Sequence, residues 1–207
     1  MNLTSKTAIL VIDVQNDFCP GGALAVNDGD LVVPVINRLL PAFDVCVFTQ
    51  DWHPHDHQSF AANHGDCEPF STIDMPYGTQ VLWPMHCVQD TDGADFHEDL
   101  DIDKAQMIVR KGFRPHIDSY SAFFENDRRT STGLHGYLHE RGVDSIVLAG
   151  LATDYCVGDS ALDAARLGYE VTLIEDACRA IDLEGSLATA IRRMREAGVK
   201  FARSETL

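Results

Sequence analysis

Basic residues are scarce in this 207-residue chain, where 16 Lys and Arg stand against 32 Asp and Glu for a formal net charge of −16. A nucleic-acid duplex or an anionic membrane surface would bind against that field, so no nucleic-acid or membrane partner is expected. Long apolar runs are missing too. The longest near the N-terminus, 8–12, is far shorter than a membrane span, and neither a basic n-region nor a small-residue cleavage site stands ahead of it. A cytoplasmic location is therefore expected. The 6 cysteines include no CxxC pair, and a chain of this length needs no disulfide staples, so reduced thiols are expected. Internal repeats and low-complexity tracts are absent.

What is present is enough apolar content, 45% of residues, for one sizeable core. That predicts a single domain over 1–207. Short runs rich in Val and Ile alternate with longer helical patterns, the signature of βαβ units around a parallel sheet covered on both faces. The expected fold class is α/β, a six-stranded parallel sheet flanked by helices. Strands are predicted at 8–14, 44–49, 106–110, 145–149, 170–174 and 199–202, and helices at 31–40, 132–141, 157–167 and 183–197. Gly142 and Gly168 supply stop signals behind two of these helices. Two long stretches, 50–104 and 112–130, carry no regular pattern, which in a compact domain usually signals function. The acidic run that begins at Asp90 lacks the spacing of a calcium loop and reads as solvated.

Ligands of an open parallel sheet bind beyond the carboxyl ends of its strands. On the predicted strands, Asp13 falls at the end of the first, Asp51 and His53 just beyond the second, Lys111 at the end of the third and Cys156 a few residues past the fourth. Cys156 follows Thr153 and Asp154, either of which could cap a helix whose first turn holds the thiol; the positive helix end there favours a thiolate. A free cysteine is otherwise a small buried hydrophobe, and Cys19, Cys46, Cys87 and Cys178 read that way, with Cys67 unassigned. Asp13, closing an apolar strand, is placed to lose water and gain basicity; the alternative is a cap for the segment that follows. Lys111 would be costly at a strand end without anions nearby. Asp51, His53 and His86 offer one carboxylate and two imidazoles, a usual set for a catalytic divalent ion, and a hydrogen-bonded loop network is the alternative.

These residues lie in stretches that resemble the nicotinamidase/pyrazinamidase branch of the isochorismatase-like cysteine hydrolases. The stretches are 11–22, 49–61, 83–89, 110–112, 118–123 and 150–157, in that family's order and over nearly the whole chain. The resemblance implies a three-layer α/β fold and a triad of Asp13 as proton acceptor and donor, Lys111 as electrostatic partner and Cys156 as nucleophile. It implies an oxyanion hole from the Ala152 and Cys156 amides beside a cis Leu151–Ala152 bond, and ring contacts from Phe18, Trp83 and Tyr120. It also implies one divalent metal, zinc first, with iron or manganese as substitutes, held by Asp51, His53 and His86, with His57 as a further ligand or neighbour. The implied substrates are nicotinamide and pyrazinamide, another small amide being the alternative, and a homo-oligomer is the expected assembly.

Overall fold

A computed structural model describes residues 6–207. Its main sheet holds β1 (Thr7–Ile12), β2 (Val45–Asp51), β5 (Met107–Lys111), β6 (Ser145–Leu151), β7 (Glu170–Arg179) and β8 (Lys200–Ala202), in the order β5-β2-β1-β6-β7-β8. Every pairing in it is parallel. The helices are α1 (Val33–Leu39), α2 (Leu134–Glu140), α3 (Cys156–Arg166) and α4 (Ser186–Glu196).

Alternation along β1 divides the core. Ile9 and Val11 pack with Val33, Ile36 and Leu39 of α1 on one face. Ala8, Leu10 and Ile12 pack on the other with Leu134 and Leu138 of α2, Val157 and Ala161 of α3 and Met194 of α4. Both faces are thus covered, giving three layers, and the central strands are buried along their length and mainly apolar because neither side meets water. No helix among the described residues is long and apolar enough to cross a membrane.

The strand order reverses between β1 and β6, so crossovers leave those two strands in opposite directions and a crevice opens at their carboxyl ends. Four differences from the predicted elements bear on that crevice. β1 stops at Ile12 rather than at 14, because Asp13 turns the chain at φ 47°. β2 continues to Asp51, pairing it with Lys111 at the end of β5. β7 runs on to Arg179 past an irregularity at Leu148–Gly150. The stretch 50–104 also contains an antiparallel hairpin, β3 (Thr72–Met75) and β4 (Gly78–Val81), whose Ile73 and Met75 alternate too briefly with exposed residues to register as strands. Gly142 and Gly168 end α2 and α3 with φ 68° and 95°, as the sequence led one to expect.

Candidate active site

The β2–β5 register sets Asp51 and Lys111 side by side, and Asp13 leaves the neighbouring strand at the same level. The Lys111 ammonium, fully buried, lies 2.7 Å from Asp13 Oδ2 and 3.4 Å from Cys156 Sγ. It also donates to Asp51 Oδ1 and, at 3.0 Å, to the Ser119 carbonyl. Burial alone would lower its pKa, but Asp13 and Asp51 override that and hold it well above its usual value. Thr49 clasps Asp13 twice: its hydroxyl donates to Asp13 Oδ1 at 2.6 Å and accepts the Asp13 amide at 3.2 Å. Asp13 is no helix cap; the short turn at Asn16–Phe18 begins from Gln15 without a side-chain cap. Loss of water raises the Asp13 carboxyl to about 6, with Lys111 pulling the other way.

Cys156 is the first residue of α3, but neither Thr153 nor Asp154 caps that helix. Asp154 turns instead toward the chain after β7, accepting from the Ile181 and Asp182 amides and from the Ser186 hydroxyl. The expectation of a favoured thiolate also needs correcting. Burial pushes the Cys156 thiol well above its usual pKa, and Lys111 offsets this only in part. The Asp13 carboxylate stands beside the sulfur, placed to take its proton. The Leu151–Ala152 peptide is cis. Neither the Ala152 nor the Cys156 amide donates to a protein acceptor among the described residues. All six cysteines are free, and all but the half-buried Cys67 are buried.

Beside this group, His53 Nε2 and His86 Nε2 lie 3.7 and 3.9 Å from Asp51 Oδ2. The three ligand atoms fall within 4.8 Å of one another, and all three residues are buried. Each imidazole is oriented from behind: His53 Nδ1 meets the Gly112 carbonyl at 2.9 Å and His86 Nδ1 the Pro84 carbonyl at 2.8 Å. Such backbone contacts fix the tautomer that leaves Nε2 free for a cation, so this donor set fits a divalent ion. Gly112 has φ +67°, and a Cβ there would sit 2.3 Å from His53 Cε1. Burial and the nearby His53 hold His86 down at about 4, a neutral ring. His57 packs against His53 with ring centroids 4.4 Å apart, but both its nitrogens are engaged elsewhere: Nδ1 lies 2.7 Å from the Ser59 hydroxyl and Nε2 3.3 Å from the Ile117 carbonyl. With Asp118 it forms a second grouping around the shared His53.

A cavity lined by Cys156, Asp51, His53 and His86 joins the two constellations. Phe18, Trp83 and Tyr120 line it, together with Leu24, Asp118, Tyr155 and Ile181, which the sequence had not singled out. The ring of Tyr155 meets Trp83 edge-on at 4.8 Å and Tyr120 at 5.6 Å. Tyr155 was overlooked because a residue beside a cysteine reads as its neighbour; only the helix start shows that it faces the cavity. The acidic stretch behind Asp51 has a structural part as well, since the Ala94 carbonyl accepts from both Gln15 Nε2 and Gln50 Nε2.

Residues 7–206 match the isochorismatase domain family. The nicotinamidase of Acinetobacter baylyi is 53% identical over 207 residues, covering 100% of this chain and 97% of that protein. The yeast nicotinamidase bound to the inhibitor nicotinaldehyde superposes with a TM-score of 0.88 at 33% identity, over 95% of this chain and 99% of that one. The pyrazinamidase of Pyrococcus horikoshii in complex with zinc gives 0.78 at 36% identity, over 96% and 99%. With likeness of that extent running through both the sequence and the backbone, the chain belongs to the isochorismatase family, in its nicotinamidase/pyrazinamidase branch.

Proposed function

We propose that this enzyme hydrolyses nicotinamide to nicotinate and ammonia, and pyrazinamide likewise, through a thioester on Cys156. The observation that carries the reading is the meeting of the Cys156 thiol, which lines the aromatic-walled cavity, with the Asp13 carboxylate and the Lys111 ammonium behind it, against a buried Asp–His–His set. Asp13 takes the thiol proton, and the sulfur forms a bond to the carboxamide carbon. Lys111 steadies the negative charge that passes between carboxylate and sulfur. The Ala152 and Cys156 amides receive the oxyanion, each such donor being worth about 3–4 kcal/mol in acyl transfer. Collapse breaks the C–N bond as Asp13 returns its proton to the departing nitrogen, which leaves as ammonia. Water, losing a proton to Asp13, then attacks the thioester; the C–S bond breaks and the sulfur regains that proton.

Phe18, Trp83 and Tyr120 hold the ring. Asp51, His53 and His86 are the ligands of a divalent ion, which we take to be zinc. Bound there, it would supply a Lewis acid for the pyridine nitrogen. The reduced thiols suit a cytoplasmic setting.

Ammonia release from nicotinamide, pyrazinamide and an aliphatic amide, with and without chelator, tests this. Turnover of the aromatic amides alone, lost on chelation and abolished in a folded Cys156→Ala variant, is expected. Ammonia release that survives Cys156→Ala would remove the thioester, and equal use of the aliphatic amide would remove the ring-anchored reading.

A further inference from the structure

The hairpin β3–β4 is a surface feature with one exception. Its residues are exposed or half-buried except Gln80, which is 1% exposed. A buried amide on a solvent-facing ribbon needs partners, and those of Gln80 belong to the cavity wall. Its Nε2 lies 2.7 Å from the Val81 carbonyl, 3.0 Å from Asp118 Oδ2 and 2.9 Å from the Tyr120 hydroxyl. Its Oε1 accepts from the Tyr77 hydroxyl and Asn126 Nδ2, each at 3.2 Å. The carbonyl and the carboxylate can only accept, so the amide cannot flip. Asn126 closes the circuit: its Oδ1 accepts the Tyr120 backbone amide at 3.0 Å, and its own backbone N–H donates to the Asp118 carbonyl at 2.8 Å.

The consequence for Tyr120 is chemical. Its hydroxyl oxygen accepts from Gln80 Nε2 and, at 3.1 Å, from Trp83 Nε1. Gln80 shares two N–H groups among three acceptors, and with it and the Trp83 indole both facing the phenol oxygen, the proton is what Tyr120 has left to offer a ligand. An aromatic amide brings the matching acceptors, a carbonyl oxygen and a ring nitrogen.

We propose that Gln80 is the positioning residue of this pocket, fixing Tyr120 and Asp118 from outside it and so setting substrate affinity rather than the chemical step. This rests on the nicotinamide reading above. In the full-length enzyme, Gln80→Met keeps the bulk and removes every bond, while Gln80→Glu keeps the acceptor for Tyr77 and Asn126 and removes the donors. Both should raise KM for nicotinamide about tenfold with kcat within twofold of the parent, one hydrogen bond's worth of affinity. In a Tyr120→Phe background, Gln80→Met should add little, because the two act as a unit. Without any substrate, the indole N–H resonance of Trp83 should shift in either variant. An unmoved indole resonance with unchanged KM overturns the proposal, as does a fall in kcat and Tm with KM constant, the mark of packing alone. A parent enzyme that releases no ammonia would sink the substrate reading instead, and the indole shift would still decide the positioning role.

Discussion

Thr49→Val is the sharpest probe of the base assigned to Asp13, because it alters that carboxyl's environment without touching a proposed catalytic group. The hydroxyl of Thr49 donates to Asp13 Oδ1 at 2.6 Å, in a site where burial has already lifted the carboxyl to about 6 and Lys111 restrains it. A hydrogen bond to a charged group contributes about 1.5–3 kcal/mol and one to a neutral acid about 0.5–1.5 kcal/mol, so the ionised form loses roughly 1–1.5 kcal/mol more when the hydroxyl goes. That difference is about one pKa unit. Since the lost bond favoured the charged form, the shift is upward. The acid limb of kcat/KM, which reports the free enzyme, should move about one unit toward neutral pH. Well above that limb the carboxylate is fully ionised in both proteins, and their rates should converge. Val also leaves the buried Asp13 amide without its acceptor, costing about 1–3 kcal/mol of stability, so the profile must be taken below the measured Tm of the variant. A folded variant whose acid limb stays in place, or moves toward lower pH, would refute Asp13 as the titrating base.

Two further substitutions address the imidazoles. Gly112→Ala places a methyl group against the His53 ring at a left-handed φ; metal affinity, read by chelator competition, should fall about 10–100-fold, the usual cost of disturbing a ligand's support. His86→Ala should lower bound metal per chain while Cys156 still reacts with an alkylating thiol reagent; retention of a full equivalent of metal would remove His86 from the ligand set.

The sheet was legible in the sequence because strands buried on both faces are mainly apolar, and the runs 8–12, 45–48 and 146–149 are wholly so. Chain turns set by hydrogen bonds were not. Asp13 leaves β1 early because Thr49, 36 residues away, offers it both a donor and an acceptor. The hairpin β3–β4 is polar, short and held through Gln80 to Asp118 and Tyr120, contacts that leave no periodic trace. Asp154 looked like a helix cap from its spacing, yet the amides at 181 and 182 claimed it.

Asp51 is where linear reading had least to work with. The sequence assigned it to one constellation, while its two oxygens serve two: Oδ1 meets the Lys111 ammonium and Oδ2 faces both imidazoles. Lys111 and the neighbouring imidazoles keep this carboxyl ionised against the pull of burial, well below the usual carboxylate range. Loss of activity in an Asp51 variant would consequently say nothing about which constellation failed; a His86 variant separates them, because its ring faces Oδ2 at 3.9 Å while the Lys111 ammonium meets Oδ1. With Lys111 on Oδ1, the buried Oδ2 is the oxygen turned toward the two imidazole nitrogens, and a buried carboxylate is costly unless cations meet it.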